Sequence, residues 1–440
     1  MFKFIPRFRP VSKKEFPSLY QEPRKRRVYE QAVVSLESKP VCPEDAEVKG
    51  FVKYEKTNFT KKRDPAPRLI QPRDPRYNVE VGVFLKPIEH ALYHAIDESF
   101  REAGANSPVV AKGHNFATRA KVLHKKFTRF SRPRALLFDA KRFDQHVSRW
   151  ALQFEHEWYL QGYRGDPRLA MLLAWQLTTT FTGRCEDGVV KFFKHGGRCS
   201  GDMNTALGNV IIMCAMFFAF MTELDIDYEF YDDGDDSVLI VEEENLQVVL
   251  DNYEEFFLQH GFTMTLGRVA TCLEEIEFCQ THPVFDGTRW TMIRNPLEAL
   301  AKDCNSTLPH PTKAVTEGWM AAVSECGEAI SGGIPVWNSF YQCMRRAAHG
   351  RAALKLPDLD SGMVWNSRGM RRRFASVSDA SRVSFWRAFG IQPARQILLE
   401  RYYDECEWEV SAPEDILAHP TEGEYLRHCL SVLDDVYLGH

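Results

Sequence analysis

Four carboxylates in five residues, Asp232-Asp233-Gly234-Asp235-Asp236, constrain this chain more than any other feature. They sit between two β-prone runs, Tyr228-Glu229-Phe230-Tyr231 and Ser237-Val238-Leu239-Ile240-Val241. Turn residues between such runs predict a β-hairpin. Aligned carboxylates repel one another, so the turn needs cations or solvent around it. A solvated acidic loop is the plain alternative. Against it stands Asp139: Arg134-Ala135-Leu136-Leu137-Phe138 predicts a separate buried strand that ends on that carboxylate, and Asp144 follows five residues later. One carboxylate from a second strand facing two from a turn is a donor set for a pair of Mg²⁺ ions, which take hard oxygen ligands and retain waters and phosphate oxygens.

A third element is the glycine-rich stretch from Gly196 to Asn209, which feeds an apolar helical pattern over Thr205 to Met221. Glycines permit close backbone approach. Alone, the stretch reads as a loop with an N-capped helix, and it lacks the Gly-Lys-Ser/Thr ending of a Walker loop. Helical spacing predicts further helices over Ile88 to Phe100, about Trp150 to Phe181 and Gln247 to His260, and beyond Pro296 the chain reads as mostly helical. Gly183, Gly188, Gly196 and Gly197 punctuate a hairpin and a loop. Residues 1 to 80, rich in Pro and basic side chains, predict extended loops with short elements.

At 440 residues the chain exceeds one ordinary core and suggests about three lobes of roughly 150 residues each. With 44% hydrophobic and 26% charged residues it is not a disordered protein. The net charge of -4 conceals a basic N-terminal part: residues 1 to 76 carry 19 Lys and Arg against 10 Asp and Glu, which hints at a polyanionic partner. None of the 11 cysteines falls into a C-x-x-C pair, which argues against a zinc or dithiol motif and fits a reducing compartment. The longest apolar run, Val210 to Met221, has 12 residues against the roughly 20 of a spanning helix, so no membrane crossing is expected. The N-terminus does not read as a secretory signal. His90 and His94 lie four apart on a helix without a third zinc ligand, and His146 reads as packed. Arg371-Arg372-Arg373, between Trp365 and Phe374, reads either as a contact to the phosphates of a polyanionic partner or as an exposed charged loop.

In order and spacing, Asp139-x4-Asp144, Ser200-Gly201-x3-Thr205-x3-Asn209 and Gly234-Asp235-Asp236 resemble motifs A, B and C of the viral RNA-dependent RNA polymerases. The run from Asp139 to Val147 and Glu277-Phe278-Cys279-Gln280 are more closely similar to the tombusvirus-like group, carmovirus and umbravirus polymerases included. Lys61-Lys62-Arg63-Asp64-Pro65-Ala66-Pro67-Arg68-Leu69-Ile70 resembles motif F, and Glu277 to Gln280 resembles motif E. The likeness runs from about Lys53 to Asn305.

That resemblance implies an α+β right-hand polymerase whose antiparallel palm sheet carries motifs A and C. It implies an N-terminal extension and fingers over residues 1–133, palm over 134–149, a fingers insertion over 150–195, palm again over 196–295 and a mostly helical thumb over 296–440. The implied reaction is template-directed transfer of nucleotides to an RNA 3′ end, replicating a positive-strand genome. Asp139, Asp235 and Asp236 would hold Mg²⁺, with Mn²⁺ able to substitute, and Asp232 and Asp233 would form an acidic approach. Asp144, Ser200, Thr205 and Asn209 would select the ribose through its 2′-hydroxyl. Lys61, Lys62, Arg63 and Arg68 would grip the triphosphate, Arg68 with a planar fork suited to phosphate. Glu277, Phe278, Cys279 and Gln280 would form the primer grip. The place of motif D, Gly261 to Arg268, has no lysine; Arg268 and His260 are the nearby candidates, arginine a poor proton donor, and the general acid stays unassigned. Implied partners are template and nascent RNA, nucleoside triphosphates and other viral replicase proteins, in the host cytoplasm at membrane-associated complexes. Family members are made as extensions of a membrane-bound replicase protein, which leaves open whether Met1 is the natural start. Rival readings are a reverse transcriptase, a non-catalytic RNA-binding relic and a metal-dependent hydrolase. Asp144 with Asn209 opposes the first, the intact carboxylates the second, and the basic segment the third.

Overall fold

The computed structural model describes residues 2–56, 66–185, 187–307, 310, 312–354 and 362–408. Contacts divide the chain into two compact units. The first takes the described parts of residues 1–54, 64–112 and 125–271, and the second those of 55–63, 113–124 and 272–440.

In chain order the strands of the first unit are β1 (Val48–Val52), β2 (Leu69–Ile70), β3 (Pro133–Ala140), β4 (Thr178–Cys185), β5 (Gly188–His195), β6 (Tyr228–Asp232), β7 (Asp236–Glu242) and β8 (Met264–Ala270). They build two four-stranded sheets, ordered β2-β1-β4-β5 and β6-β7-β3-β8. The second sheet is antiparallel throughout, with β3 central between β7 and β8. In the first sheet the β1–β4 pair is parallel and the others antiparallel. Helices pack on the second sheet, and the fold is α+β.

What fixes the central sheet is its alternation. On β3, Leu136 and Phe138 are buried while Asp139 is exposed, because successive side chains point to opposite faces. Phe138 packs on Phe217 at 5.4 Å and on Tyr253 at 5.2 Å, and Phe217 stacks on Phe230 of β6 at 4.4 Å. Burying one such ring contributes roughly 2–3 kcal/mol, so the register that puts Phe138 inward also puts Asp139 outward. Phe217 belongs to the Thr205–Leu224 helix, which ends on Asp225 at φ 51°. By length and composition this 20-residue helix could cross a membrane, but 67% of its apolar window is buried in the protein. The uninterrupted 12-residue apolar run understates it, because Gly208, Asn209 and Thr222 interrupt the run but not the helix.

The N-terminal part departs from the expected loops: Pro23–Ser38 is a 16-residue helix that buries Tyr29, Ala32, Val33 and Leu36. Helical structure after Trp150 stops earlier than its pattern suggests. Helices Arg149–Gly162 and Pro167–Ala174 are followed by β4, so Thr178 to Phe181 is strand.

The second unit carries the hairpin of β9 (Thr281–Phe285) and β10 (Trp290–Arg294), then helices Pro296–Asp303, Lys313–Ser331, Trp337–Ala347, Asp379–Phe389 and Pro393–Glu405. Buried acids organise it. Glu328 accepts from Arg345 Nε at 2.8 Å and Arg372 Nε at 2.6 Å, and Asp286 pairs with Arg373. Arg372 and Arg373 are thus tied to acids of their own unit, while Arg371 and Arg372 stay exposed.

Candidate active site

Asp139 and Asp236 are direct cross-strand partners at the end of the β3–β7 ladder. Opposed residues in an antiparallel pair hold their Cβ atoms about 4.5–5.5 Å apart, and like charges there destabilise the sheet. Asp235 adjoins them in the turn, where its carbonyl accepts from Ala140 N at 3.4 Å. The turn is tight: Asp233 N donates to Asp236 O at 2.9 Å, which leaves Gly234 and Asp235 as its two central residues. Gly234 has φ +105°, a conformation that side chains avoid, so glycine is required there. Asp139 and Asp235 are exposed and Asp236 is half-buried.

The turn's other two carboxylates are in different surroundings. Asp232 is completely buried, accepts from Gly234 N at 3.1 Å and Cys214 Sγ at 3.6 Å, and its carboxyl is pushed well above the usual range by burial. Asp233 pairs with Lys112 at 2.8 Å. Neither is an exposed acidic approach; they brace the hairpin from within.

Beside the carboxylate end lies a buried polar chain. Asn209, one helical turn into the Thr205–Leu224 helix, donates from Nδ2 to Asp144 Oδ1 at 3.1 Å. Arg198 Nε donates to Asn209 Oδ1 at 3.0 Å and so fixes which way that amide points. Arg198 is in turn paired with Glu155, which also accepts from Tyr159 OH at 2.6 Å and from Asn204. Arg198 and Glu155 side chains are fully buried. Burial opposes the Arg198 charge, but Glu155 beside it more than restores it. Burial pushes the Asp144 carboxyl up and nearby Asp235 adds to the rise, against the pull of Asn209, Arg198 and Arg68.

Arg68 reaches this neighbourhood because β2, which it directly precedes, and the loop after β2 are stitched to the glycine-rich loop. Ser200 Oγ donates to Leu69 O at 3.2 Å, and buried Arg73 donates to Asp202 at 2.6 Å. The Thr205 hydroxyl lies 2.9 Å from both Cys199 O and Asp202 O, so it holds its own loop together. On the other side of β3, Thr265 of β8 pairs with Asp139 and donates to its carbonyl at 2.8 Å. His260 Nδ1 is 2.8 Å from Phe256 O, tied back to its own helix.

Asp139, Asp144, Asn209, Asp235 and Asp236 are therefore brought together, with Arg68 and Ser200 on the adjoining loops and Thr205 at the start of the helix that carries Asn209. Lys61, Lys62 and Arg63 lie outside the described residues. Glu277, Phe278, Cys279 and Gln280 belong to the second unit and form a tight turn of their own: Phe278 and Thr281 exchange backbone hydrogen bonds at 2.9 and 3.1 Å, with Cys279 at φ 50° and Gln280 at φ 61°. The buried residues Glu155, Arg198, Asn204, Arg73 and Asp202 were not singled out by the sequence. Arg198 and Asp202 stand inside the glycine-rich stretch, and a charged residue between glycines was the signal available for them.

The carboxylate end fits a divalent cation in kind. Its donors are hard oxygens, two of them opposed on one ladder where a cation would relieve their repulsion. Among the described residues no three His, Cys, Asp or Glu side chains are already gathered into a metal-holding group, so the strands align these carboxylates without closing them together.

Comparison with known proteins gives one answer. The family model for viral RNA-dependent RNA polymerases matches residues 1–411. The RNA-directed RNA polymerase of turnip crinkle virus is 42% identical over 418 residues, 93% of this chain and 53% of that protein. That of tobacco necrosis virus (strain A) is 40% identical over 421 residues, 96% of this chain and 57% of that protein. That of carnation mottle virus is 39% identical over 392 residues, 89% and 50%. The chain spans about half the length of these relatives.

Proposed function

Because this chain belongs to the viral RNA-dependent RNA polymerase family, we propose that it is the polymerase part of a positive-strand virus replicase, copying RNA from an RNA template with nucleoside triphosphates. The observation that carries the reading is the juxtaposition at one strand end of Asp139, Asp235 and Asp236 with the Asp144–Asn209 pair. In this reading β3, β6, β7 and β8 belong to the palm, spanning 134–149 and 196–295. Fingers take 1–133 and 150–195, and the helical part from 296 onward is the thumb.

Asp139, Asp235 and Asp236 would hold two Mg²⁺ ions, with Mn²⁺ able to replace them, and bound metal would supply activation of the RNA 3′-hydroxyl and charge neutralisation at the triphosphate. The chain's own residues position the reactants. Asn209, its amide oriented by Arg198, and Asp144 present a donor and an acceptor to a ribose 2′-hydroxyl, the group that separates RNA from DNA precursors. Arg68, with Lys61, Lys62 and Arg63, would hold the triphosphate. Glu277 to Gln280 would steady the primer end. A reverse transcriptase would place a bulky side chain where Asp144 stands. Replication is proposed to occur in the host cytoplasm at membrane-associated complexes, with other replicase proteins.

The test is substrate choice. With Mg²⁺ and a short single-stranded RNA, the purified chain should incorporate labelled NTPs far better than dNTPs, and Asn209→Ala should narrow that preference about tenfold, the worth of one lost hydrogen bond to a charged-pair network. Equal use of dNTPs by the wild type would defeat the reading.

A further inference from the structure

The β2-β1-β4-β5 sheet has a face that the catalytic reading does not use. Residues directly opposite in a ladder share a face, and alternate residues along a strand share it too. Thr180 faces Phe193, Thr182 faces Lys191, Thr178 faces His195 and Arg184 faces Val189. Lys49 joins the same row as Thr182 through the parallel β1–β4 pairing, and Phe51, two residues on, lies on that face opposite Ile70. The other face holds Phe181, which is buried and stacked with Phe192 at 4.5 Å.

The first face is solvent-accessible and chemically unusual. Phe193 is 60% and Phe51 54% exposed, and Phe193 meets His195 edge-on at 4.9 Å. Around them stand Lys49, Arg184 and Lys191, all exposed, and a row of threonine hydroxyls on β4. Among the described strand residues on this face none is a carboxylate; exposed Glu47 directly precedes β1, Asp187 lies in the hairpin turn, and Asp74 is 3.9 Å from Lys49. By strand spacing and rise, the two aromatic rings are about 17 Å apart, with the cationic side chains between them.

From this arrangement we infer that the face is a docking platform for single-stranded RNA. Exposed aromatics on a sheet stack splayed bases, cations between them meet the phosphates, and hydroxyls can pair with ribose or base edges. A partner protein could pack on the rings but would need acidic side chains to match the same cations, whereas the phosphates of RNA supply that charge at every nucleotide. The inference rests on the polymerase reading for the identity of the nucleic acid, as the strand being fed to or leaving the site. It does not depend on the catalytic carboxylates.

The experiment is equilibrium binding of a fluorescent single-stranded 12-mer RNA to the full chain without divalent metal, so that catalysis plays no part. Phe193→Ala should weaken binding about tenfold, as loss of one stacked base does, and Phe193→Trp should restore it. Lys191→Ala should lower the salt slope by about 0.7, the value for one phosphate contact on a single strand. Circular dichroism keeps misfolded variants out of the comparison. RNA affinity and salt slope unchanged in both alanine variants would overturn the inference, including in favour of a protein partner. Because binding is read without turnover, a wild type that binds through this face yet never incorporates NTPs would sink the polymerase reading and leave the platform standing.

Discussion

Asp232 and Asp235 are three positions apart in one hairpin and live in opposite media. Asp235 is exposed at the turn, whereas Asp232 is sealed beneath it with one oxygen lacking any partner. The sign of the resulting pH dependence follows. Burial raises the folded-state pKa of Asp232 above its ordinary value of 3.8, so over that interval the folded chain keeps a proton that the unfolded chain has lost. Stability therefore falls as pH rises from about 4 toward the raised value, at a limiting slope of about 1.4 kcal/mol per pH unit. Asp232→Asn removes this term. It should melt higher than the wild type at pH 8, with the gap closing toward pH 4; a gap that widens on acidification would show that Asp232 is ionised in the folded state. Without the motif resemblance, composition and spacing offer four aspartates and no means of telling which are buried. Asp232 and Asp235 differ in burial, and half-buried Asp233 is set apart from half-buried Asp236 by its pairing with Lys112.

At the scale of elements, the glycine-rich loop and its helix exist to seat a buried ion pair. A Cβ on Gly208 would lie 2.3 Å from Glu155 Oε1 and 2.4 Å from Arg198 Nη2, so the helix has glycine where the pair crosses it. Gly208→Ala should destabilise the chain by about 3 kcal/mol in urea unfolding, the range for a disrupted buried pair, although alanine is the better helix former. A neutral result would mean that the pair relaxes freely. The turn at Cys279 and Gln280 stores strain of another kind, since two consecutive non-glycine residues are left-handed. Cys279→Val should cost about 1–2 kcal/mol, and Cys279→Gly should cost nothing or stabilise. Thermal melts of the two variants separate these outcomes. Strands β3, β6 and β7 were legible because short apolar runs end on turn residues. Glu155 was not, because a lone glutamate on an amphipathic helix looks like a solvent contact until its partner is known. The Pro23–Ser38 helix was obscured by its first turn, where Arg24 to Arg27 mask a spacing of Tyr29, Ala32, Val33 and Leu36 that is helical. The threonines that open β4 follow an apolar helix closely enough to extend its pattern by four residues.

For the whole molecule, order and spacing of the motifs carried more information than any one of them. A carboxylate turn, a glycine-rich loop and a lone aspartate after a strand are each commonplace. Folding joins all three at one sheet end, while the residues expected to grip a primer fall in the second unit. The family match runs over residues 1–411, nearly all of the chain. The most direct test compares the wild type with an Asp235→Asn, Asp236→Asn variant for Mg²⁺-dependent synthesis of template-length product from labelled NTPs on a short single-stranded RNA. The charge-neutral change keeps side-chain size and removes the ligands, so product is expected from the wild type alone, with the variant at least about a hundredfold lower. Equal synthesis by both proteins would contradict the assignment of these carboxylates as the catalytic centre.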